Sequence, residues 1–237
     1  MIRSLAFAFL LASPVCADES QDFVAANIIS TLYHEFGHAV IHLTDAPVLG
    51  REEDAADILS VVLLDALWEE DSAEFILALT ALSFVLAAQE AEDPAYWDVH
   101  GLDIQRYYNQ VCLFYGANPE ARASLIDDFD LPAERAATCV EEFELAAASW
   151  GGVLEPLEAD TPGNSIRFRG DRTSEVGALL ADEVNDLNAI YTLPYTVTVE
   201  LAACGEENAF YDSDTATITI CTEYVDFLER QAIANDL

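Results

Sequence analysis

Residues 28–42 read Ile28-Ile29-Ser30-Thr31-Leu32-Tyr33-His34-Glu35-Phe36-Gly37-His38-Ala39-Val40-Ile41-His42. Apolar residues recur here at helical spacing, from Phe23 through Ile28, Ile29, Leu32 and Phe36 to Val40 and Ile41, so one helix is expected over about 23–43. On a helix, positions i and i+4 share a face, and His34 and His38 therefore point the same way. Two imidazoles side by side are half of a zinc site, and Glu35 follows the first histidine where a metal-dependent hydrolase keeps its general base. The bland alternative is a core helix with two partly buried histidines.

A catalytic zinc takes three protein ligands and keeps a fourth position open. The third candidate is Glu53, at the start of the helix expected over 52–68. Asp57 lies four residues on, on the same face, placed to accept a hydrogen bond from a ligand imidazole. Ala55 and Ala56 are small enough to let this helix approach the first. Glu52 and Asp54 sit about 100° to either side of Glu53 and are expected to face elsewhere. Taken alone, such an acidic first turn reads as a complement to the helix dipole. His42 is one turn beyond His38, about 6 Å along the axis, and reads as a packing or supporting histidine rather than a ligand. His100, in the loop Pro94–Gly101 with Asp98 and Asp103 nearby, is the candidate for holding a developing oxyanion. Tyr107 and Tyr108 are further candidates for that task.

His34-Glu35-Phe36-Gly37-His38 followed by Glu53-x-x-Ala56-Asp57 resembles the gluzincin metallopeptidases, whose third ligand is a glutamate on a following helix. More closely, the chain resembles a bacterial family of exported, metallopeptidase-like proteins of unknown function. Tyr33–Ala39, Leu49–Asp57, Asp103-x-Gln105-Arg106-x-Tyr108-Asn109, Asn208–Asp212 and Ile220-Cys221 carry that likeness. The resemblance implies a Zn2+-dependent hydrolase fold with peptide or protein substrates.

The remaining chain bounds the setting. It has 237 residues, 52% of them hydrophobic, which is ample for a packed core. Forty-four acidic residues stand against nine arginines, with no lysine, for a net charge of −35. That balance excludes nucleic acid and anionic membranes as natural partners. Arg3, the apolar run Leu5–Ala12 and Val15-Cys16-Ala17 read as a signal peptide cut after Ala17. The run is too short to span a bilayer, and no second apolar span is expected. The product is then secreted or periplasmic, without stable membrane insertion; a lipoprotein on Cys16 is disfavoured because Ser13-Pro14-Val15 makes a poor lipobox. Removing residues 1–17 leaves Cys112, Cys139, Cys204 and Cys221, an even number that suggests two disulfides. Of three connectivities, sequence neighbourhood favours Cys112–Cys139 with Cys204–Cys221.

The expected architecture is α+β and mainly helical: one domain over 18–237, with a helical part to 150 and an α/β part from 151. Helices are expected over about 72–91, 103–115, 119–127, 132–150, 175–189 and 223–234, and Gly151-Gly152 is expected to be loop. Strands are expected at 166–170 and 195–201, with a hairpin from 208–212 to 215–221 turning at Asp212-Ser213-Asp214. In common zincins a sheet precedes the zinc helix; here the strands come last. The small sheet is therefore expected to pack beside the zinc helix in a permuted arrangement, with Ala209–Asp212 edging the cleft. The rival functional reading is a non-catalytic, zinc-containing binding or interaction protein of the cell envelope.

Overall fold

The computed structural model describes residues 19–91 and 93–237; the expected signal peptide lies outside them. Eight helices are described: α1 (Glu19–Thr44), α2 (Glu52–Leu67), α3 (Glu70–Glu90), α4 (Asp103–Ala117), α5 (Leu125–Asp128), α6 (Ala133–Leu154), α7 (Glu175–Ile190) and α8 (Thr222–Ala234). Four strands, β1 (Ile166–Arg169), β2 (Val197–Ala202), β3 (Ala209–Asp212) and β4 (Thr217–Cys221), form one sheet in the order β1-β2-β4-β3. The fold is α+β and mainly helical, with its small sheet in the C-terminal part.

α1 is the central element. Phe23, Ile28, Leu32, Phe36 and Val40 are all fully buried, and the helix touches α2, α3, α7, α8, β3 and β4. A helix apolar on nearly every side needs cover all round, and both parts of the chain supply it. Tyr33 is one such anchor: its hydroxyl donates to Glu183 of α7 at 2.7 Å and accepts from the Trp68 indole at 2.9 Å. The α1–α2 crossing is close because Gly37 faces Ala56; a Cβ on Gly37 would lie 3.0 Å from the Ala56 Cα. Small residues at both positions set the spacing of the two helices that carry the histidine pair and Glu53.

β1, α7 and β2 make a parallel crossover; β4 pairs parallel with β2 and antiparallel with β3. The β3–β4 hairpin closes as expected, with the Asp212 carboxylate accepting from the Asp214 N–H and the Thr215 hydroxyl, each at 2.9 Å. This sheet does pack against α1, by way of β3 and β4. Cys112–Cys139 joins α4 to α6, and Cys204–Cys221 ties the β2–β3 connection to the end of β4.

Three local expectations are corrected. Gly151 and Gly152 are not loop: α6 runs through them to Leu154. The helix cost of glycine, roughly 1 kcal/mol each, is outweighed where Trp150 and Leu154 are both buried in the main core. Residues 119–124 form turns rather than helix. Arg122 dictates their path, buried with its guanidinium on Glu70, Asp65 and the Phe114 carbonyl and stacked 3.5 Å from the Phe114 ring. Finally, α3 is long and apolar enough to cross a membrane by length and composition. It is rich in alanine and leucine throughout. One face of it, Ala73, Ile76, Leu77, Thr80 and Ala81, is buried within the fold.

Candidate metal centre

His34 and His38 project from consecutive turns of α1 toward the first turn of α2. Their Nε2 atoms are 3.2 Å apart, and each is 3.2 Å from the same oxygen of Glu53, Oε2. The three atoms make an equilateral triangle. The outward nitrogens are also engaged: His34 Nδ1 meets Asp57 at 2.8 Å and His38 Nδ1 meets Glu52 at 2.8 Å. With each Nδ1–H donated to its carboxylate, both Nε2 lone pairs face the Glu53 carboxylate. Three acceptors converging on one point repel one another unless a cation sits among them. The donor set thus fits a metal ion.

Where no metal is bound, protons on the imidazoles meet the same demand for positive charge. His100, His34 and His38 together hold the Glu53 carboxyl far below the usual range. Burial works against protonating His38, yet Glu53 and Glu52 hold it up at about 9. His34 is likewise raised, by Asp57 and Glu53 against burial. Glu35 lies beside the pair, 6% exposed. Burial pushes its carboxyl up, and the neighbouring imidazoles pull part of that back.

Asp57 is itself braced. Arg106 of α4 grips it with two hydrogen bonds of 2.7 Å and lies 4.5 Å from the Phe84 ring centre. Against the penalty of burial, the Arg106 fork and His34 keep the Asp57 carboxyl at about 2. Arg106 lies in a family-like stretch of the sequence, which by itself assigns it no task. The available signal was an arginine in a chain with so few cations, next to a helix start. Glu52, expected to face elsewhere, instead holds His38, because α1 crosses α2 at its first turn, where a long side chain reaches past the ideal helical angle. Asp54 does face away, paired with Arg51 at 2.9 Å.

The other expected residues divide. His100 comes in from the segment before α4, its Nε2 3.0 Å from Glu53 Oε2 and its Nδ1 3.0 Å from Asp98. His34, Glu53 and His100 present donor atoms all within 4.8 Å of one another. His42 stays out of the cluster, its Nδ1 2.9 Å from the Tyr211 hydroxyl of β3. Tyr107 donates to the Phe129 carbonyl at 2.7 Å and, with Tyr108, belongs to a separate apolar cluster around Cys112–Cys139. Neither phenol reaches the centre.

A cleft of ≈ 680 Å³ opens over the cluster, lined by Glu35, His38, Glu53 and His100 on one side and by Asn208–Tyr211 on the other. The edge strand β3 forms that second wall.

The profile of a family described as "putative metallopeptidase", DUF4344, matches residues 8–154 and 172–236. The chain belongs to that family. No curated protein and no solved structure matches it. The two disulfides fit an extracellular or periplasmic protein.

Proposed function

We propose that this chain is an exported zinc-dependent peptidase, with the ion held by His34, His38 and Glu53 and with Glu35 as general base. The observation that carries the reading is the triangle of Nε2, Nε2 and Oε2 with 3.2 Å sides beside a buried glutamate. A tetrahedral zinc with bonds of 2.0–2.1 Å has donor–donor edges of about 3.3 Å. Asp57 and Glu52 fix the tautomer and orientation of the two imidazoles, and Arg106 fixes Asp57.

When bound, the ion supplies Lewis acidity, activating a water and polarising the scissile carbonyl. Glu35 takes the proton from the attacking water and passes it to the leaving amine; its burial raises its basicity for both transfers. The substrate is a peptide or protein segment lying extended along β3 and pairing with that strand's free edge. With His42 Nδ1–H donating to its oxygen, the Tyr211 hydroxyl is one of the side-chain donors the cleft offers to a substrate carbonyl. A signal peptide ending at Ala17 delivers the chain to the compartment where its disulfides form.

The rival reading is a non-catalytic zinc protein of the cell envelope, which the presence of His100 near Glu53 favours. Glu35 speaks against it, since holding an ion requires no buried glutamate beside the ligands. Zinc analysis of the purified protein, together with hydrolysis of an unstructured protein such as casein, tests the proposal. One zinc per chain and activity lost in Glu35→Gln is the expected result. Zinc neither present nor taken up by the demetallated protein overturns it, and so does full activity in Glu35→Gln.

A further inference from the structure

A second cavity, of ≈ 760 Å³, lies between α2, α4 and α6. Ile58 of α2, Leu113 of α4 and Ala146 and Trp150 of α6 give it apolar walls, and the α1–α2 connection adds Val48. Two further leucines that line it, Leu49 and Leu145, are exposed to solvent. The charged groups on its wall are already matched. Arg51 pairs with Asp54, Arg135 with Glu142, and Asp57 is held by Arg106. An occupant of this cavity therefore gains by covering carbon rather than by supplying charge.

The cavity adjoins the cleft over the metal centre, for Ile41 and Arg51 line both. Ile41 stands three residues beyond His38 on α1, about 4.5 Å along the axis. Arg51 immediately precedes Glu52 and Glu53. An extended peptide advances about 3.3 Å per residue. A chain lying in the cleft beside His38 thus reaches the cavity within a few residues, and one molecule can fill both.

From this continuity we infer that the cavity is a subsite of the cleft: it receives a large aliphatic or aromatic side chain of the substrate, two or more residues from the bond that is cut. The inference rests on the peptidase reading above and deepens it by naming the substrate class. The metal ligands and Glu35 address main-chain groups that every peptide has; the cavity supplies the choice among peptides. Large apolar side chains are mostly buried in folded proteins, so the substrates selected this way are unfolded or extended chains.

Sequencing by mass spectrometry the fragments that the zinc-loaded full chain releases from casein tests the inference. The cleaved bonds are expected to share a large apolar residue at one fixed position, two or more residues from the cut. In a matched pair of synthetic peptides, Leu at that position is expected to raise kcat/KM about 10-fold or more over Ala. Ala146→Trp, which fills the cavity, is expected to bring that ratio to within about 2-fold of unity, with one zinc per chain retained. Leu145→Asp, at an exposed position that the fold does not depend on, is expected to lower the same ratio about 3-fold and decides the matter if Ala146→Trp does not fold. A cleavage profile with no such position overturns the inference. So does a wild-type ratio kept in both variants, which would assign the cavity to a molecule other than the substrate. In either case zinc and casein hydrolysis remain, so the subsite alone falls; a protein with neither zinc nor hydrolysis overturns the peptidase reading and the subsite with it.

Discussion

Across the cleft, α1 and α2 face β3, and the two walls are made differently. The helical wall carries buried side chains, each braced by another: His34 by Asp57, Asp57 by Arg106, His38 by Glu52. The sheet wall carries a main-chain edge and, among its side chains, the Tyr211 hydroxyl on His42. One wall holds its side chains in fixed positions; the other presents the strand edge that the proposed extended substrate would pair with. Substitutions on the two sides should therefore separate in what they change: metal content and turnover for the helices, substrate affinity for the strand.

The sharpest test of the helical wall is His34→Ala, which removes one of the three proposed ligands; dialysed protein is expected to hold well under one zinc per chain and to lose activity altogether. Glu35→Gln comes next. Turnover is expected to fall by about 10²–10⁴-fold with zinc content unchanged, and a loss of zinc in this variant would mean that Glu35 is holding the site together rather than working in it. Arg106→Met keeps a side chain of similar length but removes the guanidinium from Asp57; zinc affinity is expected to fall roughly 10–100-fold, measured by competition with a chromogenic chelator. On the sheet wall, Tyr211→Phe deletes one hydrogen bond. KM is expected to rise about 2–10-fold at constant zinc content, and an effect confined to kcat or to zinc would erase the distinction between the walls.

The smallest effect concerns how the C-terminal part supports α1. Burial raises the Glu183 carboxyl above its ordinary 4.5 while Tyr33 and its hydrogen bond draw it back. Between 4.5 and the raised value, the folded protein holds a proton that the unfolded chain has released, so stability falls as pH rises through that window. Glu183→Gln, which still accepts from Tyr33, is expected to flatten that slope in urea titrations from pH 4 upward.

What could be read from the sequence follows the reach of local rules. The i, i+4 spacing of His34 and His38 and the step from Glu53 to Asp57 obey helical geometry, so the cluster they form was legible before any coordinates. So were α1, α2, α7, α8 and the β3–β4 hairpin, each announced by its own periodicity or turn residues. The sequence singles out His100 but not the side from which it meets Glu53, because a segment of turns obeys no period from which a direction can be computed. Arg106 and Glu52 escaped for a related reason. Their partners are set by how α4 and α1 cross α2, which is a matter of packing between elements. Gly151-Gly152 misled because intrinsic preference was weighed without the buried Trp150 and Leu154 on either side.

The scarcity of cations has a consequence for peptide mapping. Without lysine, trypsin can cut this chain only after arginine, and it needs several residues drawn out into an extended form. Among the described residues, Arg51, Arg122 and Arg172 stand outside helix and strand, and Arg122 is sealed in the core. Arg51 is clasped by Asp54. That leaves the turn at Arg172, next to the stretch 155–171 that the family profile passes over, as the natural nicking point. Both cysteine pairs close on their own side of it. The two fragments should therefore part on a denaturing gel with no reductant added, the first retaining Glu35 and all four histidines, the second the strand that edges the cleft.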